Sequence, residues 1–296
     1  MANDITAATL LAQKSIESLR QKYPIFSLFS VDFGDATGAI GQTVNVPVFG
    51  NAAAVKKPVK GSSIDYSGEA GGSISTIPVV MDSLIFSAHP LSPYDVENLS
   101  DTTKAQIITE NAHAVHAKAD AVIAELALKT ENHTVYTCAG KDAFTLGDLI
   151  AARGVAAASK MDTDNLVVVL SPKAYNDLIA DDKVAKSLTT AAQDAIVGGR
   201  ISEIVGIKVT TSAAIKSGYF GYLAQKSSVA VAARPTVAIG AAWSQVLSVE
   251  GGFSFTAKGI NDAVHAQEIY VAEIAFGAEA VKHANEKRII ALAAAA

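Results

Sequence analysis

Apolar positions near the start of the chain recur three and four residues apart. Ile5, Ala8, Ala12, Ile16 and Leu19 share one face of a helix, with Asp4, Lys14, Glu17 and Arg20 opposite, and the pattern stops before Tyr23-Pro24. So narrow an apolar stripe needs another surface to lie on, which makes residues 1–40 an N-terminal arm. The period then changes to two. Thr43 to Phe49 alternates as a strand, and Pro47, which has no N–H for a ladder, places it at an edge. A second extended run covers Ser73 to Ser87. Between them, Gly50 to Gly72 contains five glycines and three lysines, with only Val55, Val59, Ile64 and Tyr66 as bulky apolar side chains. Residues 41–90 thus read as a long hairpin with no core of its own. A connection of this length is functional far more often than idle, and its expected role is to lie over another surface.

From an N-cap at Ser100 or Asp101, a helix is predicted to about Lys129. Ile108, Ala112, Val115, Ala119, Val122 and Leu126 give it a sustained apolar seam, and its length of roughly 40 Å suits a structural spine. Residues 91–140 are assigned to it.

Thr145 to about Gly240 has the texture of an α/β unit, assigned to residues 141–240. It opens with a helix capped by Thr145, with Asp148 three residues on. Leu166–Leu170 is a short, wholly apolar strand, and Ser171-Pro172 supplies a cap and a first-turn proline for a helix through Ile179. Another helix is predicted over Val184–Ile196, ending at Gly198-Gly199, with strands near Ile207–Thr211, Tyr219–Ala224 and Ser228–Ala233. Residues 241–296 return to extended chain: Gln245–Ala257 interrupted at Gly251-Gly252, Gln267–Phe276, and Arg288–Leu292. The α/β unit therefore reads as an insertion between two parts of a sheet-and-spine unit, an α+β architecture.

Composition narrows the partners. Half of the 296 residues are apolar, which excludes disorder as the main state, and 24 Lys and Arg against 29 Asp and Glu leave a formal charge of −5, unlike a dedicated nucleic-acid binder. The lone cysteine, Cys138, has no partner for an intramolecular disulfide, which points to a reducing compartment. No secretory signal is read in Met1–Leu11, and no apolar run approaches the ~20 residues of a membrane span, so a soluble chain is expected.

Candidate chemistry adds little. His113, His116 and Asp120, with Glu110, share one face of the spine at metal-ligand spacing, but a solvated helix face is the expected reading and no metal or other cofactor is assigned. Gly34–Gly41 and Gly198-Gly199 lack the strand and helix that a phosphate-binding glycine loop requires and read as turns. Cys138 lies five residues from His133, which is weak grounds for a nucleophile and base; a buried, inert thiol is expected. Asp162, Asp164, Asp181 and Asp182 fall at predicted loops and helix ends, where solvated carboxylates are ordinary. No catalysis is assigned.

The order of elements resembles the major capsid proteins of tailed bacteriophages, whose Hong Kong ninety-seven-type fold is shared with encapsulin shells. The resemblance covers nearly the whole chain. It is carried by Gly41–Phe49 (GQTVNVPVF), by Ile77–Ser92 leading into Asp95-Val96-Glu97, by the spine from Glu110 to Ile123, by Asn165–Tyr175 (NLVVVLSPKAY) and by Ile204–Val209 (IVGIKV). It implies an extended loop reaching over an adjacent subunit, a peripheral domain built from the spine and the C-terminal strands, and an axial domain from the insertion.

The implied function is a structural one: self-assembly through pentamers and hexamers into an icosahedral virion shell around double-stranded DNA held non-specifically. Assembly in the host cytoplasm, with a portal and with scaffolding or decoration proteins, belongs to the same expectation. Val55, Lys56, Lys57, Val59, Lys60, Ile64 and Tyr66 would be the loop's interface residues. Some relatives crosslink a loop lysine to an asparagine of another subunit; Lys56, Lys57 or Lys60 with Asn261 or Asn285 match by residue type, and solubilising surface lysines are the plainer reading. An encapsulin-type shell around protein cargo is the alternative, and an α/β enzyme built on the insertion is the distant one.

Overall fold

Local capping chemistry sets the helix boundaries. The computed structural model describes residues 30–32, 43–49, 74–182, 184, 203–226, 228–237, 239–248, 254–283 and 286–295. Ser92 opens a short helix, α1 (Pro93–Asn98), through a reciprocal capping box with Asp95. Ser100, not Asp101, caps the spine α2 (Asp101–Ala127), its hydroxyl accepting from the N–H of Thr103. Thr145 and Asp148 form a second capping box at α3 (Leu146–Ala158), and Ser171 caps α4 (Pro172–Ala180), which starts on its proline. The helix expected from Val184, the arm, and the two glycine-rich turns lie outside the described residues, apart from Val184 itself and Ser30–Asp32 of the arm.

Two six-stranded sheets follow. In the first, β13 (Gln267–Ala280) is the axis. Antiparallel to it, β4 (Ser83–Leu91) runs along one edge, while β12 (Ser254–Asp262) and β10 (Val229–Arg234) lie end to end along the other. β11 (Trp243–Ser248) flanks β12, and β1 (Ser30–Asp32) joins β10 in parallel. The second sheet runs β5 (Thr134–Thr137), β16 (Ile289–Ala293), β9 (Tyr219–Gln225), β6 (Leu166–Leu170), β8 (Ile207–Thr211), β7 (Glu203–Ile204). Two-stranded ladders are formed by β2 (Thr43–Phe49) with β3 (Ile74–Val80), and by β14 (Lys282–His283) with β15 (Glu286–Lys287).

The spine lies between the two large sheets. It packs on β13 and β4, and its core also takes in Val167, Val169, Tyr222, Ala224, Ile289 and Ala291 from one face of the second sheet. The alternate residues Leu166, Val168, Leu170, Leu223, Ile290 and Leu292 form a separate core under α3 and α4. Strand β6 is wholly apolar because it feeds both cores, as expected of a strand covered on each side.

Several expectations are corrected by this pairing. The run from Ser73 to Ser87 is two strands, broken at Met81-Asp82; β3 belongs to the hairpin and β4 to the first sheet. β10, expected within the 141–240 insertion, pairs with β13 instead, while β5 and β16, expected outside the insertion, complete the second sheet. Sheet partners are long-range choices that no local pattern encodes. In the spine seam Val122 is only half-buried, and Ile123 and Ala124 take its place, because 3.6 residues per turn carries a strict three-four repeat round the helix.

In the first sheet, two close approaches need glycine. A Cβ on Gly277 of β13 would stand 2.1 Å from the carbonyl oxygen of Val80, where the chain passes from β3 to β4 across the sheet. One on Gly259 of β12 would meet the Trp243 indole, which lies over it from β11 and packs 5.8 Å from Tyr270.

Candidate assembly surfaces

The base of the hairpin is anchored. Val46, Val48, Ile77 and Val79 alternate with exposed residues, and their buried side packs with Met81, Val281, and Ala230 and Ala232 on the face of β10 turned away from the spine. Pro47 sits opposite Thr76 in a ladder of only two strands, as its missing N–H requires. The expected interface residues Val55, Lys56, Lys57, Val59, Lys60, Ile64 and Tyr66 lie outside the described residues. The described strands end at Phe49 and Ile74, which pair with each other.

On the same side of the first sheet is an uncovered apolar patch that sequence reading missed. Phe86, Glu273, Thr256 and Val246 stand opposite one another on β4, β13, β12 and β11, so they form one row across the sheet. Their sequence neighbours Ile85, Phe255 and Leu247 point into the core beneath the spine, so the row faces away from it. Phe86 is 63% exposed and Val246 57%.

The middle of the row is covered by the stretch around Thr236, in the connection from β10 to β11. There the Thr236 hydroxyl donates to the Glu273 carboxylate, Lys258 Nζ donates to the same oxygen at 2.5 Å, and Thr256 Oγ1 donates to the Thr236 carbonyl at 2.8 Å. A connection held by a buried ion pair presents Val237 and Ile239 almost fully to solvent, at 77% and 85%. With Leu84, five large apolar side chains are displayed on and around a fixed base. The alternation of β4 offered a signal, since it leaves Leu84 and Phe86 on the face opposite Ile85 and Leu91.

The polar side of the spine is not the solvated face that was expected. His113, His116 and Asp120 are all buried, because the second sheet covers them; Glu110 remains exposed. Burial, then the nearby His113, holds His116 down at about 4. Burial, then Asp120, pushes Tyr222 of β9 up, which places Asp120 on the side of α2 facing that strand. On the other side Asn111 donates to the Tyr270 carbonyl at 2.9 Å and accepts from Ser87 at 3.0 Å. Among the described residues no group of three or more His, Cys, Asp or Glu is arranged to hold a metal ion.

Cys138 is buried in the core under α3 and α4. Desolvation, then Asp148, pushes its thiol up to about 12, so it stays protonated. His133 turns elsewhere, with Nδ1 against the Ala127 carbonyl at 3.2 Å. Two of the four loop aspartates serve the backbone: Asp162 accepts from Asp164 N–H as well as from Asn165 Nδ2, and Asp181 accepts from Leu146 N–H, while Asp164 and Asp182 are exposed. Asn261 is exposed on β12, and Asn285 lies outside the described residues.

No family model matches the chain, and no curated protein matches its sequence. Solved structures do match, over nearly its full length. A chain of Mycobacterium phage Che8 is 14% identical with a TM-score of 0.61, covering 90% of each chain. The cyanophage Pam1 capsid is 12% identical with a TM-score of 0.61, covering 92% of this chain and 90% of that one. A virus-like particle from Pyrococcus furiosus is 12% identical with a TM-score of 0.54, covering 95% and 96%. The two sheets, the spine between them and the anchored hairpin are thus the Hong Kong ninety-seven-type capsid fold that the sequence resembles.

Proposed function

We propose that this chain is the major capsid protein of a tailed bacteriophage, a structural protein and not an enzyme, whose copies assemble through pentamers and hexamers into a closed shell around the genome. The observation that carries the reading lies on one side of one sheet, where an anchored hairpin leading into residues 50–73 stands beside an uncovered apolar patch. The hairpin of one copy lies over the patch of the next, so that Val55, Val59, Ile64 and Tyr66 bury Phe86, Val237 and Ile239. Each buried side chain of this kind contributes ~1.5–3 kcal/mol, and a contact repeated around a closed lattice turns modest pairwise affinity into a stable particle.

The charge of −5 suits a wall that touches packaged DNA without gripping it, since a basic wall would bind through counterion release. Among the described residues no helix is long and apolar enough to cross a membrane. The portal, scaffolding and decoration partners, and assembly in the host cytoplasm, belong to this reading. The virus-like particle supports a second one, an encapsulin-type shell, which purified particles would separate by holding protein cargo in place of DNA.

Two opposite halves of the proposed contact give the test. Replacing residues 51–72 by a short turn, or making Phe86→Ser with Val237→Ser, should leave circular dichroism near native while sedimentation loses its fast-moving particles. Normal closed particles from both variants would overturn the proposed contact.

A further inference from the structure

The buried polar side chains of the spine take no part in the hairpin or the patch. His113, His116 and Asp120 follow one another within two turns of α2, on the side turned to β9. We propose that this side of the spine is an acid-sensitive joint: protonation of His113 and His116 loosens α2 from the second sheet, while the core under α3 and α4, on that sheet's opposite face, stays closed.

The geometry carries the argument. Residues three apart on a helix are side by side, so protonating both histidines places two positive charges against each other in a site that the second sheet covers. Among the described residues packed on this core, the other titratable groups are Asp120 on α2 itself, Tyr222 and the half-buried Tyr219 from β9, Tyr270 from β13 with its ring against Trp243, and His133, which lies at the far end of the spine with Nδ1 against the Ala127 carbonyl and its ring edge-on to Tyr219. β6, β16 and β10 supply only apolar side chains to it: Val167 and Val169, Ile289 and Ala291, Val229, Val231 and Ala233. One carboxylate therefore faces two imidazoles, and double protonation leaves a net positive charge buried. The core beneath α3 and α4 has no histidine among its buried residues; its buried acid, Asp148, accepts from the Ala139 and Thr145 N–H groups, so no pair of imidazoles is set side by side there.

The direction follows from His116, held at about 4 in the closed joint against 6.5 when free. As pH falls, the opened state takes up its proton first. The closed joint is fully favoured above about pH 6.5 and loses ground down to about 4.

The test is hydrogen exchange of the unassembled full chain at pH 7.5 and pH 5, corrected for intrinsic rates. Protection of amides 113–124 should fall about tenfold or more at the lower pH while amides 146–158 hold, and His113→Gln with His116→Gln should remove that dependence. Unchanged protection in 113–124, loosening of both segments together, or a pH dependence that survives the double substitution would overturn the proposal. If the double variant fails to fold, the imidazole signals of the unsubstituted chain decide: His116 titrating below pH 5 supports the joint, and titration near 6.5 refutes it. Shell formation plays no part in this measurement, so its failure leaves the proposed function standing.

Discussion

At the scale of the residue, the first sheet contains an interaction whose sign of contribution depends on what replaces it. Lys258 and Glu273 are both buried, and the carboxylate also accepts from Thr236. Removing one partner strands the other charge in a desolvated site. Glu273→Ala should therefore lower stability by about 3–5 kcal/mol, while Lys258→Met combined with Glu273→Leu should cost clearly less than the single change. Denaturant midpoints of the three proteins check this, and a double variant no more stable than the single one would contradict it. The sequence hid this pair. Strand alternation puts Lys258 and Glu273 on the face away from the spine, where charges are ordinary, and their burial comes with the crossing of the chain at Thr236. Thr145 and Asp148 were legible by contrast, because a capping box acts over three residues.

At the scale of the element, the spine was the clearest signal in the chain and also the source of its main misreading. Its cap, its length and most of its seam follow from the 3.6-residue repeat, and Ile108, Ala112, Val115, Ala119 and Leu126 are all buried. The pattern reports one apolar stripe, however, and a helix between two sheets buries two sides. Its second side is built from Ala124, Ala127, His113, His116 and Asp120, where small and polar residues disguise burial. The distinction grades a pair of substitutions. Val115→Asp should prevent folding, since an unpaired carboxylate in that position costs several kcal/mol against a total stability of ~5–15 kcal/mol. Half-buried Val122→Asp can turn its carboxylate to water and should give soluble protein with a lowered melting temperature. Solubility and limited proteolysis of the two proteins report the difference, and equal behaviour would mean the helix is rotated from its position here.

At the scale of the whole molecule, element order was readable and partnership was not. Strands β2, β6, β8, β9, β10 and β16 lie within two residues of their expected bounds, while the short β1, β5 and β7 carry no pattern that announced them, and nothing local told β10 to join β13 or β16 to join β9, because those ladders link residues far apart in sequence. The same limit applied to the apolar patch, which exists only once β4, β11 and residues 235–242 are brought to one face. What the assembled fold adds is a reason for many copies: one side of the first sheet presents Phe86, Val237, Ile239 and Val246 to solvent. The most direct measurement is analytical ultracentrifugation of the purified full-length chain over a wide range of concentration. Pentamers, hexamers or complete particles are expected as discrete fast-sedimenting species, and a chain that sediments as a single monomer at every concentration would contradict the proposed assembly.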